Sequence, residues 1–235
     1  MRTFSILNPI RARFSASGFD IVHPFATSSL SKKDGGNLYN NLQGNNNKLG
    51  LVIGNNKNIW SPFVKSFSKG STLPLNPLDD YVSKEIEKLT IDLGLPVSDI
   101  IYPNEGSPTR LISFQKLGSC INLAHYAKEL GLCVHKEFGA WFAFRAVIIL
   151  NSPPSSIGID INEPPPVPLP FPCSKQTQQK AAKQMEKLLN GTDTNWLKLR
   201  DTVVVGTKWR YEYEQLQYHY GDQSQRQHIL EQYTF

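Results

Sequence analysis

The run Trp141-Phe-Ala-Phe-Arg-Ala-Val-Ile-Ile-Leu150 constrains this chain more than any other stretch, because it is apolar at both parities of a β-strand and yet carries one arginine. Strand alternation puts Trp141, Ala143, Arg145, Val147 and Ile149 on one face and Phe142, Phe144, Ala146, Ile148 and Leu150 on the other. Such a strand belongs in the middle of a sheet covered on both sides. A guanidinium left unpaired there costs several kcal/mol, roughly, even after relaxation. Arg145 is therefore expected to meet a carboxylate, a phosphate or a bound anion. An internal Asp or Glu would satisfy it as well as a ligand would.

The 235 residues suffice for one generous domain or two small ones. We read residues 1–17 as a flexible N-terminus and 18–235 as a single domain, with an Asn-rich loop at 37–48 and a Pro-rich arm at 152–172. No apolar run approaches the roughly 18 residues of a membrane span, and the N-terminus lacks a continuous hydrophobic signal segment. The expectation is a protein neither secreted nor membrane-embedded. The first 19 residues hold Arg2, Arg11, Arg13 and several serines but no acid, a composition seen in mitochondrial presequences, although Pro9 should interrupt a helix there. Cys120, Cys133 and Cys173 are too few for a disulfide framework and point to a reducing compartment, the cytoplasm. The formal charge of +5 is spread along the chain without a nucleic-acid motif, and a small anionic ligand accounts for it as well as a nucleic acid would.

Gly18-Phe-Asp-Ile-Val-His-Pro-Phe25 reads as an early strand and Leu49-Gly-Leu-Val-Ile-Gly54 as a second. Ser61-Pro62 should open a short helix ending near Gly70. Asn76-Pro-Leu-Asp79 opens a longer one running to about Leu93, with Leu78, Val82, Ile86, Leu89 and Leu93 inward and Gly94 as stop. Asp99 to Tyr102 should be a strand, followed by a turn through Asn104 to Pro108. Arg110 to Ser113 looks extended and leads into a helix to about Leu130, with Gly131 as terminator. Strands are expected at Leu132 to Glu137 and Trp141 to Leu150. The eight prolines of residues 152–172 exclude both helix and sheet and suggest a polyproline arm. Ser174 opens an amphipathic helix, with Ala181, Ala182, Met185, Leu188 and Leu189 on one side, closed at Asn190-Gly191. Trp209, Tyr213, Leu216 and Tyr220 repeat at helical spacing, and Asp222 with Gln225 forms a capping box for a last helix.

Nucleotide loops, zinc pairs and nucleophile elbows are missing from the sequence. Cys133 and His135 share a strand face, but two ligands do not make a metal site, and a packed Cys beside a hydrogen-bonded His explains them. Trp196, Trp209, Tyr211, Tyr213, Tyr218 and Tyr220 either line a planar ligand or seal a core. Arg200 and Arg226 join Arg145 as groups able to hold a carboxylate, although each alone would also make an ordinary surface charge.

Cys133-Val-His-Lys-Glu-Phe-Gly-Ala-Trp-Phe-Ala-Phe-Arg-Ala-Val147 resembles C-[IV]-H-x-x-F-G-[GA]-W-F-A-[IF]-R-[GA]-V of the cyanocobalamin reductase and alkylcobalamin dealkylase family, named for the human cobalamin C disorder. Gly18 to Phe25 resembles that family's G-F-E-V-x-P-F segment, and Asn76 to Val82 its D-P-V-D-x-x-V helix start. The resemblance implies an α+β fold, a nitroreductase-like antiparallel sheet flanked by helices with a helical C-terminal region. It makes residues 18–235 a cobalamin-processing domain. Its activity would be removal of the upper axial ligand of cobalamin. Glutathione thiolate takes the alkyl group of alkylcobalamins, and cyanocobalamin loses cyanide reductively, with electrons from thiol or reduced flavin (FAD or FMN).

Carried over by position, the corrinoid wall matches Ile101, Ile112, Ser113, Phe114, Gln115, Tyr126, Ala127, Lys128, Cys133, Trp141 and Phe144. The glutathione arginines match Arg145, Arg200 and Arg226. No side chain is implied as an acid or base catalyst, and no resident metal. A cobalamin-trafficking adaptor protein and a ligand-induced homodimer are the implied partners, with no nucleic acid and no membrane. Ser119 replaces a histidine of the family's cobalamin-facing helix, and Lys128 a glutamine near the upper ligand, so a trafficking module that binds cobalamin without turnover is the competing reading. A flavin-dependent nitroreductase relative is a third.

Overall fold

The structure, a computed structural model, describes residues 7–27, 48–68, 70, 72–105, 112–157 and 169–234. The Asn-rich tract up to Asn47, the end of the turn expected at Asn104 to Pro108, Arg110 with Leu111, and the prolines from Pro164 to Pro168 lie outside the described residues. The chain divides into two compact units. One draws on Met1–Ile112, Ala143–Pro164 and Tyr213–Phe235, the other on Ser113–Phe142 and Pro165–Glu212.

The first unit is built on a four-stranded antiparallel sheet in the order β1 (Ile21–Ala26), β2 (Leu49–Asn55), β6 (Ala143–Leu150), β3 (Val97–Ile101). The doubly apolar strand is central, as its composition requires. Ala146 to Leu150 are all buried, whereas Ala143, Phe144 and Arg145 are half-buried. The expected face alternation does not run unbroken to Arg145. Against β2 the register passes from Ile53–Ala146 to Gly54–Phe144, which makes Arg145 the extra residue of a β-bulge. Trp141 also lies before the strand, in a turn where its N–H bonds the Phe138 carbonyl, and it belongs to the second unit.

Helices complete this core. α1 (Leu7–Ala16) corrects the expectation of a flexible, Pro-interrupted N-terminus: Pro9 sits in the first turn, where a missing N–H is tolerated, and Leu7, Ile10 and Phe14 are buried. α2 (Trp60–Lys65) starts earlier than Ser61-Pro62 suggested, because Asn56 caps a preceding 3-10 turn, Lys57–Ile59. α3 (Pro77–Asp92) carries the expected buried stripe Leu78, Val82, Ile86 and Leu89. Asn76 occupies its N-cap without a side-chain hydrogen bond. Each of these large apolar side chains contributes about 1.5–3 kcal/mol by burial.

Residues Pro154–Ile157 form a 3-10 turn inside the segment read as polyproline. The C-terminal helices of this unit, numbered after those of the second, are α7 (Tyr213–Tyr220) and α8 (Gln223–Thr234). The aromatic repeat of α7 is not a buried stripe. Tyr213 is 76% exposed, while Leu216 and Tyr218 are buried. The capping box holds in both directions: Gln225 N–H donates to Asp222 Oδ1 at 2.8 Å and Asp222 N–H to Gln225 Oε1 at 2.9 Å.

In the second unit the expected helix to Leu130 stops early. α4 (Phe114–Cys120) ends where Asn122 takes a left-handed φ of 55° and the Gly118 carbonyl accepts from both Leu123 and Ala124. A two-stranded hairpin follows, β4 (His125–Ala127) with β5 (Leu132–Val134), joined by a 3-10 turn that Gly131 closes. α5 (Lys175–Leu189), capped by Ser174 Oγ on the Thr177 N–H, buries Ala181 and Leu188 against Ala127, Leu130 and Leu199. Leu189 is exposed, not inward as periodicity suggested. α6 (Trp196–Thr202) completes the unit. Among the described residues, no helix is long and apolar enough to cross a membrane.

Candidate functional site

In the first unit the bulge delivers Arg145 to a polar pair. Its Nε donates to Asn55 Oδ1 at 2.5 Å, and Nη1 lies 3.9 Å from Asp79 Oδ1 in the first turn of α3. The expectation that Arg145 finds an acid or an anion is thus met inside the chain by an amide and a distant carboxylate. The guanidinium is largely covered, at 13% exposure, while Asp79 is 45% exposed, so the charge pair is loose and wet. Tyr218 from α7 closes this group. Burial raises its hydroxyl pKa, the Leu78 N–H donating to its oxygen opposes this, Asp79 raises it further, and Arg226 and Arg145 lower it. Arg145 and Arg226 are therefore brought to one neighbourhood, around Tyr218 and the N-terminus of α3. Arg226 is exposed, and its Nη2 donates to the His219 carbonyl at 3.3 Å.

Of the residues matched to the corrinoid wall, Ile101, Ile112 and Phe144 are in this unit: Ile101 buried at the end of β3, Ile112 buried, Phe144 half-buried on β6. The others lie in the second unit, where the fold brings several together. Ser113 caps α4, its Oγ accepting from the Lys116 N–H, and Phe114 and Gln115 open that helix. Tyr126 sits directly across the hairpin from Cys133, whose thiol donates to the Gln115 carbonyl at 3.5 Å. Ala127 is buried; Lys128 and Gln115 are exposed. Burial pushes the Cys133 thiol up to about 12, so it stays neutral at physiological pH.

His135 is not poised for metal binding. Its Nδ1 accepts from the Glu137 and Phe138 N–H groups at 3.0 and 3.1 Å, and its ring stacks on Phe138. Among the described residues no group of three or more His, Cys, Asp or Glu side chains is placed to hold a metal ion.

Arg200 occupies a different setting in the same unit. Its guanidinium lies over the rings of Trp141 and Tyr211, which meet edge-on, and bonds the Ala140 carbonyl through Nε and Nη2. Trp141 is fully buried, and its indole N–H has no hydrogen-bond partner among the described residues. The residues that sequence reasoning missed are Asn55, Asp79 and Tyr218 as neighbours of Arg145. Asn55 follows an apolar run and reads locally as a turn former, and nothing in the sequence ties it to a residue 90 positions later.

The fold is α+β, an antiparallel sheet flanked by helices, the class expected of the sequence. It is similar to a solved Caenorhabditis elegans structure described as a B12-trafficking protein CblC, a human MMACHC homologue, with a TM-score of 0.67 at 18% identity over 98% of this chain and 96% of that one. The family model for methylmalonic aciduria and homocystinuria type C matches residues 113–230, half of the chain. The chain belongs to that family. A Danio rerio protein named cyanocobalamin reductase / alkylcobalamin dealkylase is 25% identical over 190 residues, 74% of this chain and 71% of that protein.

Proposed function

We propose that this protein processes cobalamin by removing its upper axial ligand, through glutathione-dependent dealkylation of alkylcobalamins and reductive decyanation of cyanocobalamin. The observation that carries the reading is the assembly in one unit of Ser113 to Gln115, Tyr126 to Lys128 and Cys133, joined by the β4–β5 pairing and the Cys133–Gln115 hydrogen bond, whose match to the family's corrinoid wall would turn them toward the corrin. Trp141, in the same unit, belongs to that wall in this reading; Ile101, Ile112 and Phe144, also matched to it, are in the first unit. Exposed Gln115 and Lys128 would offer polar atoms to corrin amides, and neutral Cys133 would pack as an apolar surface.

Arg145 and Arg226 in the first unit, and Arg200 in the second, would each be able to pair with a glutathione carboxylate. The chemistry is a displacement. The thiolate forms an S–C bond to the alkyl carbon while the C–Co bond breaks with both electrons left on cobalt. The protein's part is to hold the thiol near that carbon, where proximity replaces encounter. Decyanation needs external electrons, from a thiol or from reduced FAD or FMN. A cobalamin-trafficking adaptor and a ligand-induced homodimer are the partners in this reading, and the cytoplasm its location.

Addition of methylcobalamin should shift its visible spectrum to the base-off form, and glutathione should then remove the methyl group. An unshifted spectrum would refute the proposal. The substitutions at Ser119 and Lys128 favour a second reading, a trafficking module: a base-off shift with no loss of methyl at any glutathione concentration would select it.

A further inference from the structure

We propose that the corner between α5 and α6 is a docking surface for an acidic segment of another protein, one that carries aliphatic side chains among its carboxylates. The inference is independent of the cobalamin reading and uses none of the residues matched to it. Leu189, the last residue of α5, is 70% exposed, and Trp196, the first of α6, is 51% exposed. A single exposed apolar side chain is ordinary. Here two large ones stand at the two ends of one connection, and that connection is held still. In residues 190–195 the Lys187 carbonyl accepts from the Thr192 and Asp193 N–H groups, the Leu188 carbonyl accepts from Gly191, and Asp193 Oδ1 accepts from the Asn195 N–H. Leu188 and Leu199 are buried in one cluster and tie the two helices together. Anchors presented on such a corner lose little freedom on binding.

Charge names the partner. At 3.6 residues per turn, Lys180, Lys183 and Lys187 fall within about 60° of arc on the exposed half of α5. Among the described residues none of the three is paired with an acid. Asp193, which follows the helix, is already taken by the Asn195 N–H, the Gln184 amide and Lys198. A standard interface covers about 800 Å² per partner, far wider than the roughly 10 Å breadth of a helix, so one partner reaches the lysines and both apolar side chains. Its carboxylates would meet the lysines and its aliphatic groups the indole. A membrane surface fits less well. The apolar side of α5, with Ala181 and Leu188, is already buried in the core of its own unit, and three lysines fall short of the roughly four to eight that hold a segment on anionic lipid.

Fluorescence anisotropy on the full chain tests this with a labelled amphipathic peptide of leucine and glutamate and two analogues, one with every glutamate replaced by glutamine and one with every leucine replaced by serine. The parent peptide should bind with micromolar affinity that falls as salt rises, and each analogue at least about tenfold more weakly. Lys183→Glu with Lys187→Glu, and separately Leu189→Ser with Trp196→Ser, should each weaken the parent peptide at least about tenfold. No binding, equal binding of the three peptides, or variants within about twofold of wild type would overturn the proposal. Tighter binding to phosphatidylserine-containing vesicles than to the peptide would also overturn it and assign the corner to a membrane. A dimer in sedimentation equilibrium that the Leu189 and Trp196 substitutions dissolve would assign it to a second copy of this chain instead. The analogues are read on the wild-type chain, so a variant that fails to fold leaves the test intact.

Discussion

The guanidinium of Arg200 lies 4.4 Å from the ring centroid of Trp141 and 4.9 Å from that of Tyr211, while its Nε and Nη2 both donate to the Ala140 carbonyl at 2.9 and 2.5 Å. A planar fork can do this; an ammonium cannot. Arg200→Lys should therefore lose the double hydrogen bond and most of the stacking and destabilise the protein by about 1–3 kcal/mol. Urea denaturation followed by tryptophan fluorescence checks it, and an unchanged midpoint would show that these contacts contribute nothing.

Gly139 stands in the left-handed region, with φ of 58°, and a Cβ there would fall on the Val205 carbonyl. Gly94 has nearly the same φ, 59°, but opens onto empty space. Gly139→Ala should cost at least about 3 kcal/mol, from backbone strain and overlap together, whereas Gly94→Ala should cost only the strain, about 1–2 kcal/mol. Comparing thermal midpoints and soluble yields tests the difference, and equal losses would remove the overlap from the account.

Cys133 is buried and its thiol is pushed up to about 12, so at pH 8 it is almost wholly protonated. Cys120 and Cys173 are only half-buried, and none of the three is in a disulfide. Under native conditions a thiol reagent should modify Cys133 slowest, and Cys133→Ala should delete that slow phase alone. Fast modification of Cys133 seen by peptide mapping would contradict its packing across from Tyr126.

Asp193 joins α5 to α6. Its carboxylate is held well below the usual range, first by the Asn195 N–H, then by the Gln184 amide and by Lys198. A depressed folded-state pKa means that the stabilisation is complete above the ordinary Asp range, near pH 4, and is lost as acid protonates the folded carboxylate. Asp193→Asn should lower the thermal midpoint at pH 7, and the gap to wild type should narrow as the pH falls below about 4. A gap independent of pH would assign the effect to something other than the charge.

Much of the fold was legible because it is local. The apolar runs Leu49 to Gly54 and Ala146 to Leu150 have no polar face to turn to water, and both became buried strands. Asp222 with Gln225, and Ser174 with Thr177, are contacts three residues apart that the chain carries wherever it goes. The structure departs from local pattern where packing elsewhere in the chain overrides it. Pro9 was tolerated because α1 buries Leu7, Ile10 and Phe14, Tyr213 was turned to water, and the helix expected to reach Leu130 broke at Asn122 to allow the β4–β5 hairpin.

The candidate site divides in the same way. That Arg145 occupies a central strand and needs compensation followed from composition alone, since a strand apolar on both faces offers no water to a charge. Which groups compensate it did not. Asn55, Asp79 and Tyr218 come from three other elements, and a one-residue bulge redirects the side chain toward them. Most elements and the presence of a covered cation can be read along the chain, because periodicity and charge are carried by neighbouring residues. What that cation faces cannot, because pairing across a sheet depends on register, which local sequence does not encode.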